Sequence, residues 1–440
     1  MYFTIFRRLL GFTIVFLPII FAFWGKQYLD AFSQSPSDDP PVTIDDDITI
    51  HPSEAFSGTY KEARGRFTST ARQFPEAVLI ALDIIDNLTM DIVVLPGDLP
   101  GLVVLTSGTH GVEGYAGSAI QVAYLQKCLK LQDKCRTSSP TVVFVHSVNP
   151  WGMDSYRRTN ENNVDLNRNA LASEQFEKLA TEHVNHVAYE KFDLTLFNPI
   201  KAPTLFFAAV GMWTNAAAAL VRHGFVALKT AMVGGQYYNP RGIFYGGDRL
   251  QKSLQILDAW MAAFLGTRPA DEVVTWIDVH TGLGPMGKDT LLLDERAYTN
   301  DSTYKDMVSR DLTNYFPGAQ TPLDSNKGAG VNQGYDHAKG FVIHYFANKY
   351  LSPTDLVAVQ EFGTVPAVLV AHALICENAA RHHLSKPEAL KWAEATTKRA
   401  FYPQNTKWRR NVLTRGLRLL DQAKNRSSSL SRLLSTTAHD

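Results

Sequence analysis

Short apolar segments alternate with longer segments of helical periodicity along most of the chain. The apolar segments are rich in valine and leucine, which is typical of strands buried on both faces of a central sheet. They span residues 91–95, 102–106, 142–146, 273–279, 290–293 and 356–360. The helical patterns span residues 75–86, 116–130, 173–190, 215–233, 250–264 and 366–383. This alternation predicts an α/β fold, a three-layer sandwich with a central mixed, largely parallel sheet flanked by helices.

One apolar stretch does not follow the strand pattern. Residues 192–233 include an alanine-rich segment that is interrupted by Arg222, His223 and Lys229. These polar residues argue against a membrane span, so we expect helices that pack beside the ligand-binding cleft.

The two ends of the chain differ from its middle. Arg7 and Arg8 precede an uncharged, largely apolar run over residues 9–24, which indicates a secretory signal or a signal anchor. The run is shorter than the roughly 20 residues of a spanning helix, but no clean cleavage site follows, so an uncleaved anchor is favoured. We therefore divide the chain into an anchor or signal (1–30), a linker (31–50), a folded domain (51–403) and a basic tail (404–440) that we expect to be disordered. The predicted location is the secretory pathway, membrane-anchored or secreted.

Composition narrows the class of protein. The chain of 440 residues has 43 basic and 43 acidic residues and is 45% hydrophobic, which is typical of a globular protein and does not suggest nucleic-acid binding. Its three cysteines, Cys128, Cys135 and Cys376, are too few for a disulfide scaffold and lack a paired metal-binding spacing. Cys128 and Cys135 are close enough to bridge in an oxidising compartment, but two free thiols are the favoured interpretation.

Polar residues follow several of the predicted strands, where ligands of open α/β sheets bind. His110 and Glu113 follow the strand at 102–106 and lie three residues apart, with glycines at 108, 111 and 114, so a tight turn could bring both onto one cation such as zinc. Such a pair alone is more often structural. His280, at the end of the strand at 273–279, could supply a third ligand and leave a position open for water.

Other polar residues near these strand ends could complete a hydrolytic site. Glu361 follows the strand at 356–360 and could act as general base and then as proton donor, its rival role being an ion pair with an arginine. Arginines could bind a carboxylate or stabilise an oxyanion. Asp278 could orient an imidazole or cap a loop, whereas Asp165 is expected to satisfy backbone donors.

The motifs that contain His110 and Glu113, His280, and Glu361 occur together with Arg-Thr-Asn at 158–160 and Val-Asp-Leu-Asn-Arg-Asn at 164–169. In this order they resemble the motifs of the zinc carboxypeptidase superfamily. That superfamily includes aspartoacylase and succinylglutamate desuccinylase. The chain is most similar to an uncharacterised branch, a domain of unknown function, from about Tyr60 to His383. Segments 235–238 and 242–247 look like further marks of that branch.

The resemblance implies one Zn²⁺ ion and a general base. The implied zinc ligands are His110, Glu113 and His280, and the implied base is Glu361.

The resemblance also implies residues that contact the substrate. Arg158 corresponds to the arginine that polarises the scissile carbonyl, with Arg157 as the alternative. Asn167 and Arg168 correspond to the pair that holds a substrate carboxylate. A substrate-covering tyrosine has no clear counterpart, and the candidates are Tyr245, Tyr335 and Tyr345.

The sequence thus predicts a zinc-dependent hydrolase that cleaves an amide bond beside a carboxylate, in a peptide or an N-acyl amino acid. We also expect membrane contact through the N-terminal apolar segment. One alternative is a catalytically inactive, membrane-anchored binding module of the same fold. Another is a serine hydrolase, which requires a Gly-x-Ser-x-Gly elbow that the sequence lacks.

Overall fold

A computed structural model describes residues 39–45, 48–183, 185–199, 205–293, 295–298, 302–321, 338–384 and 386–437. The predicted N-terminal anchor and Tyr335 lie outside these residues. The strands are β1 (Val42–Asp45), β2 (Ile48–Ile50), β3 (Val78–Ile85), β4 (Leu88–Leu95), β5 (Leu102–Ser107), β6 (Thr141–His146), β7 (Val274–Gly282), β8 (Asp289–Leu293) and β9 (Leu356–Gly363).

Fifteen α-helices lie among the described residues. They are α1 (Pro52–Ala55), α2 (Tyr60–Ala71), α3 (Gly114–Leu131), α4 (Asp133–Thr137), α5 (Pro150–Asp154), α6 (Ser173–Glu182), α7 (His186–Glu190), α8 (Leu205–His223), α9 (Phe225–Val233), α10 (Lys252–Leu265), α11 (Ser302–Tyr315), α12 (Val342–Tyr350), α13 (Ala367–His382), α14 (Pro387–Phe401) and α15 (Thr406–Thr437). Short 3₁₀ turns occur at Gly111–Glu113, Leu166–Arg168 and Glu295–Tyr298, and a π-helical turn at Asp193–Phe197.

Seven strands form one mixed sheet in the order β3-β4-β6-β5-β7-β9-β8. The central strands β6, β5, β7 and β9 run parallel to one another, whereas β3, β4 and β8 add antiparallel pairs at the two sides. Each of the six predicted strands lies largely within one of these strands. The predicted mixed, largely parallel sheet is therefore confirmed.

Helices cover both faces of the sheet. Along β5, Val103 and Leu105 face a core shared with α2, α3 and α15, whereas Leu102 and Val104 face a core shared with α10 and α12. Because successive residues of a strand point to opposite faces, a continuous apolar run places hydrophobic side chains in both cores. The predicted three-layer sandwich is confirmed.

The predicted helix over residues 75–86 is wrong, because this segment forms β3. Strand β3 pairs antiparallel with β4 from Val78–Val94 to Ile85–Leu88. The connecting residues Asp86 and Asn87 have positive φ angles of 50° and 64°, as a tight hairpin turn requires. Apolar residues in this strand also fall at helical spacing, so pairing with β4, which is not visible in local periodicity, decides the structure.

The predicted disordered tail is also wrong, because residues 406–437 form α15. Its apolar face places Leu413, Leu417 and Leu420 in the core of one sheet face. Two of its arginines are buried in ion pairs, Arg409 with Asp39 and Arg426 with Asp311. The basic composition hid an apolar stripe at helical spacing, and acidic partners elsewhere neutralise the buried charges.

The predicted linker at 31–50 is corrected over its last residues. Strands β1 and β2 pair antiparallel, and Val42, Ile48 and Ile50 are buried in the same core as α15. The folded unit therefore begins before residue 51 and continues beyond residue 403.

Within the apolar stretch at 192–233, the described residues 205–223 and 225–233 form helices beside the strand-end loops, as predicted. Met212, Ala231 and Val233 pack in one cluster with Val112 and Phe244. Within the described residues, no single helix is long and apolar enough to span a membrane. One bent pair, Gly211–His223 with Phe225–Val233, meets that criterion when combined, with an angle of 116° between its halves.

Cys128 and Cys135 form a disulfide, contrary to the favoured interpretation of two free thiols. Their Cα atoms are 5.1 Å apart across the turn between α3 and α4, which is within the range that a disulfide bridges. Cys376 is free and buried, and burial raises its thiol pKa to about 12.

Candidate metal centre

Three predicted metal ligands converge at the carboxyl ends of β5 and β7. His110 directly precedes the 3₁₀ turn that follows β5, Glu113 is the last residue of that turn, and His280 lies near the end of β7. The potential ligand atoms of these three residues all lie within 4.8 Å of one another, so the cluster could hold a metal ion. Glu361 is the register partner of His280 on the adjacent strand β9.

Close backbone contacts fix the loop that carries His110 and Glu113. Gly108 has a φ of +70°, and a Cβ atom at Gly111 would lie only 2.1 Å from the backbone of Gly152. The amide of Gly111 donates to the carbonyl of Arg158, and the amide of Val112 donates to that of Arg157. Glycine is therefore required for the close approach, and the ligand loop is held against the loop that carries the arginines.

The first imidazole contacts two carboxylates. Nδ1 of His110 lies 2.9 Å from Oε1 of Glu113, and its Nε2 lies 3.0 Å from Oδ1 of Asp165. Asp165 also accepts a hydrogen bond from the backbone amide of Asn167, at 3.0 Å. Asp165 therefore performs the expected backbone role and, in addition, orients His110.

The second imidazole has the same arrangement. Nδ1 of His280 lies 2.9 Å from Oε2 of Glu113, and its Nε2 lies 2.7 Å from Oδ2 of Asp278. The hydroxyls of Thr106 and Thr109 donate to the same aspartate. Of the two roles considered for Asp278, orientation of an imidazole is therefore the one that the structure shows.

The two Nδ1 atoms, of His110 and His280, face each other at 3.1 Å. Each ring has a carboxylate at both nitrogens, an aspartate at Nε2 and Glu113 at Nδ1. A cation bound between the two Nδ1 atoms would take up their lone pairs and leave the Nε2 protons with the aspartates. Two lone pairs and the Glu113 carboxylate then meet in a buried space. Such a donor set attracts a cation, and two imidazoles with one carboxylate are ligands that zinc accepts.

The pKa shifts of Glu113 and His280 also indicate that the cluster stabilises positive charge. Burial raises the pKa of Glu113, but His110 and His280 outweigh burial and hold it well below its usual range. Burial lowers the pKa of His280, but Asp278 and Glu113 outweigh burial and hold it well above its usual range. The cluster therefore favours ionised carboxylates around a positive centre.

Glu361 differs from the other carboxylates. Its Oε1 accepts a hydrogen bond from the backbone amide of Leu283 at 2.8 Å, and it forms no ion pair with an arginine among the described residues. Burial, and then the charge of Glu113, raise the pKa of Glu361 to about 7. A carboxyl group with this pKa can accept and return a proton near neutral pH.

Arg158 is the predicted arginine that lies at the cluster. Its Nη1 donates to Glu113 at 3.1 Å, and its Nε donates to Asp165 at 3.0 Å. Its guanidinium carbon lies 4.9 Å from the centroid of the Phe244 ring. The side chain is 12% exposed, against 2% for Glu113, so this cation stands at the accessible side of the cluster.

Arg157 points elsewhere. Its Nε lies 2.8 Å from Oε1 of Glu377 on α13, and its Nη2 donates to Asn163. Both side chains are buried, so this ion pair ties the arginine loop to α13. The structure does not bring Arg157 into the cluster.

Asn167 and Arg168 lie on the 3₁₀ turn beside the cluster. Nδ2 of Asn167 lies 3.5 Å from Nε2 of His280, and its Oδ1 accepts a hydrogen bond from the amide of Val342. The fully buried guanidinium of Arg168 donates to the carbonyls of Val233 and Asn167. Arg168 is thus adjacent to the cluster, with much of its hydrogen-bonding capacity directed to backbone.

The two described candidates for the substrate-covering tyrosine, Tyr245 and Tyr345, lie in different parts of the fold. The hydroxyl of Tyr345 donates to Asp258 on α10, on the side of the core that faces that helix. Tyr245 is buried, and its backbone carbonyl accepts a hydrogen bond from the backbone amide of Asp165.

Sequence reasoning missed one role of Asp165, which is to orient the His110 ring. The available signal was its position two residues before Asn167 and Arg168.

Comparison with known proteins gives a family and a set of structural relatives. The matching family model is described as a protein of unknown function, DUF2817, and covers residues 56–415. None of the curated proteins matches the sequence.

Three solved structures illustrate the structural relatives. Bovine thrombin-activatable fibrinolysis inhibitor, in complex with tick carboxypeptidase inhibitor, is 10% identical, with coverage of 82% of this chain and 99% of that chain and a TM-score of 0.40. A metallo-carboxypeptidase from Burkholderia cenocepacia is 13% identical, with coverage of 89% and 79% and a TM-score of 0.43. A metallo-carboxypeptidase from Pseudomonas aeruginosa, in complex with (2-guanidinoethylmercapto)succinic acid, is 12% identical, with coverage of 86% and 77% and a TM-score of 0.39. The sequence predicted membership of an uncharacterised branch, a domain of unknown function. Because the family model covers most of the sequence, this chain belongs to the DUF2817 family.

Proposed function

We propose that the protein is a zinc-dependent hydrolase that cleaves an amide bond beside a carboxylate. The observation that carries this proposal is the buried triad His110, Glu113 and His280, in which two Nδ1 atoms face each other at 3.1 Å. Each Nε2 is held by an aspartate, so both Nδ1 atoms and the Glu113 carboxylate face one buried space. A cation in that space would satisfy all three groups at once.

The three ligands would hold one zinc ion. Bound zinc lowers the pKa of its water towards neutrality and polarises the carbonyl under attack. Asp165 and Asp278 hold the Nε2 atoms of the imidazoles and so keep both rings oriented with Nδ1 towards the proposed ion.

Glu361 is the proposed general base. Its carboxylate would take a proton from the attacking water and deliver it to the departing amine nitrogen. The hydrogen bond from Leu283 fixes one carboxylate oxygen and leaves the other for this exchange. The raised pKa matches a group that must both accept and donate a proton.

Arg158 is proposed to bind the carbonyl oxygen as negative charge develops on it. The guanidinium is positioned by Asp165 and Glu113 and lies at the accessible side of the cluster. A preoriented charge of this kind stabilises an oxyanion without reorganisation.

Asn167 and Arg168 are proposed to hold the substrate carboxylate. The planar fork of Arg168 suits a carboxylate, but it now donates to the carbonyl of Val233 at the end of α9. Carboxylate binding would therefore exchange this backbone contact for the substrate. Both a peptide C-terminus and an N-acyl amino acid present the required group.

We also propose entry into the secretory pathway, followed by membrane anchoring or secretion. The apolar run at residues 9–24 supports entry, and the Cys128–Cys135 disulfide suits an oxidising compartment.

Metal analysis of the purified full chain tests the proposed zinc site. We expect one zinc per chain, lost in the double variant His110→Ala/His280→Ala and kept in the control His51→Ala, whose exposed histidine lies outside the cluster. A well-folded wild type that binds no zinc, even after reconstitution, would overturn the proposal.

A substrate panel of N-acyl amino acids and C-terminal dipeptides, with and without a chelator, tests the chemistry. Arg168→Ala should raise KM for carboxylate-bearing substrates, and Arg249→Ala, an exposed arginine, should not. Unchanged turnover of every substrate by Arg168→Ala would reject the assigned role of Arg168.

A further inference from the structure

The junction of α8 and α9 forms a corner that projects from the protein. Helix α8 ends at His223, Gly224 adopts a φ of +80°, and α9 begins at Phe225. A Cβ atom built at Gly224 would meet no other atom within 4 Å. The two helices therefore turn in open space, at an angle of 116°.

Apolar side chains lie exposed on both sides of this turn. The exposed fractions are 47% for Leu220, 74% for Val221, 55% for Phe225 and 47% for Val226. Every residue from 220 to 227 is exposed. Soluble proteins rarely leave several neighbouring large apolar side chains in water, and such clusters mark interaction surfaces.

The two helices are attached to the protein by their other ends. Met212 on α8, together with Ala231 and Val233 on α9, is buried in the core cluster that includes Val112 of the metal-ligand loop. The two helices are thus anchored in the core, and the corner where they meet is exposed to solvent. Burial of its apolar residues requires something outside the described fold.

The charge of the surrounding segment indicates the chemistry of that partner. The 54 residues between Asp193 and Asp248 contain no aspartate or glutamate and four lysines or arginines, in a chain with equal numbers of acidic and basic residues. Arg222 and His223 lie between the two apolar pairs at the turn itself. Apolar side chains interleaved with basic ones match a bilayer interface, where anionic headgroups lie beside acyl chains.

We propose that the corner formed by residues 220–226 is a membrane-docking surface that inserts Leu220, Val221, Phe225 and Val226 into the interface of a bilayer containing anionic lipid. A projecting corner suits a bilayer, which deforms around it, whereas a second protein copy would need a matching recess. Arg222 contacts the headgroups. This surface is separate from the N-terminal apolar segment and does not depend on the proposed zinc chemistry.

Helix α9 connects this surface to the candidate site. It runs from Phe225 at the corner to Val233, whose carbonyl accepts hydrogen bonds from Arg168. Docking would place the cleft against the lipid surface, so that amphiphilic molecules could reach it from the bilayer.

A fluorescent probe on the full chain tests the proposal. Val221→Cys would be labelled with an environment-sensitive dye, since Cys128 and Cys135 are bridged and Cys376 is buried. With vesicles of phosphatidylcholine and phosphatidylglycerol, we expect a blue shift and quenching by brominated acyl chains. The matched control is Val78→Cys, an exposed valine on the edge strand β3, which should show neither effect.

The charge of Arg222 gives an independent readout. Arg222→Glu should reduce the blue shift at position 221 on anionic vesicles, and Arg249→Glu, also exposed, should leave it unchanged. Vesicle-bound protein whose probe at 221 remains in water would overturn the proposal, as would a failure to bind vesicles. A shift that grows with protein concentration when vesicles are absent would assign the corner to a second copy and also overturn it.

Discussion

The Nδ1 atoms of His110 and His280 lie 3.1 Å apart, while an aspartate holds the Nε2 atom of each ring. Strand register produces this relationship, because Thr106 of β5 is paired with Asp278 of β7. The ligand loop after β5 then meets the end of β7 at one point. The same pairing that builds the sheet therefore also builds the donor set.

Asp278 should control metal affinity without being a ligand. In Asp278→Asn, the His280 ring loses the carboxylate that fixes its tautomer, so zinc affinity should fall about 10–100-fold. Competition with a chromophoric chelator measures the change. Asp258→Asn, which removes a carboxylate paired with Lys349 on another part of the fold, serves as control. Equal zinc affinity in well-folded Asp278→Asn and wild type would contradict this account.

Glu361 should be needed for turnover and not for metal retention. Glu361→Gln keeps the shape of the side chain but cannot take a proton, so we expect kcat to fall about 10²–10⁴-fold with full zinc content. Parallel measurements of kcat and bound zinc separate the two effects. The control Glu54→Gln removes an exposed carboxylate on α1 and should leave both quantities unchanged. Retention of normal turnover by Glu361→Gln would assign the proton transfer to another group.

Local sequence patterns predicted the central sheet because its strands are short, continuous apolar runs that both faces bury. The cluster was predictable for a related reason: His110, His280 and Glu361 lie beside or within those runs, so the order of strands brings them together. The resemblance to a known family then supplied the proposed role of Arg158, which residue type alone left open.

The errors in secondary structure and in the role of Asp165 have one cause, which is dependence on partners distant in sequence. Residues 78–85 form a strand because β4 offers its edge, and Asp165 orients His110 because two loops meet. Similarly, the basic tail folds because Asp39 and Asp311, far away in sequence, neutralise Arg409 and Arg426. Periodicity and composition describe a segment alone and contain no record of such partners.

Arg426 should be a major contributor to stability. Its guanidinium is fully buried and contacts Asp311, the Thr275 hydroxyl and the Thr354 carbonyl. Arg426→Met leaves the buried Asp311 with only the exposed Arg310, at 3.7 Å, as a cationic partner. The loss should cost about 3–5 kcal/mol of unfolding free energy. Arg432→Met, on the exposed side of the same helix, should change stability by no more than about 0.5 kcal/mol.

Thermal unfolding of both variants and of Arg426→Met/Asp311→Leu distinguishes charge from packing. The double variant should recover much of the loss, because it removes the unpaired charge as well. Equal Tm values for Arg426→Met and Arg432→Met would show that the buried ion pair of Arg426 contributes little to stability.

His146 should make stability fall as the pH is lowered below neutrality. The ring is fully buried, stacks on Phe67 at 4.7 Å and contacts the hydroxyl of Ser118 through Nε2, as expected for a core histidine. Burial lowers its pKa from 6.5 to about 4, although the nearby charge of Asp91 opposes the shift.

The sign of this effect follows from the two pKa values. Between pH 6.5 and about 4 the unfolded chain binds a proton at His146 that the folded chain does not. The contribution is therefore fully present above pH 6.5 and is lost as the pH falls through this window, by roughly 3 kcal/mol in total. Denaturant unfolding of wild type and His146→Gln across this range measures it. Glutamine does not titrate, so the variant should lose less stability on acidification, whatever its stability at neutral pH. Parallel pH profiles for the two proteins would mean that the pKa of His146 is the same in the folded and unfolded chain.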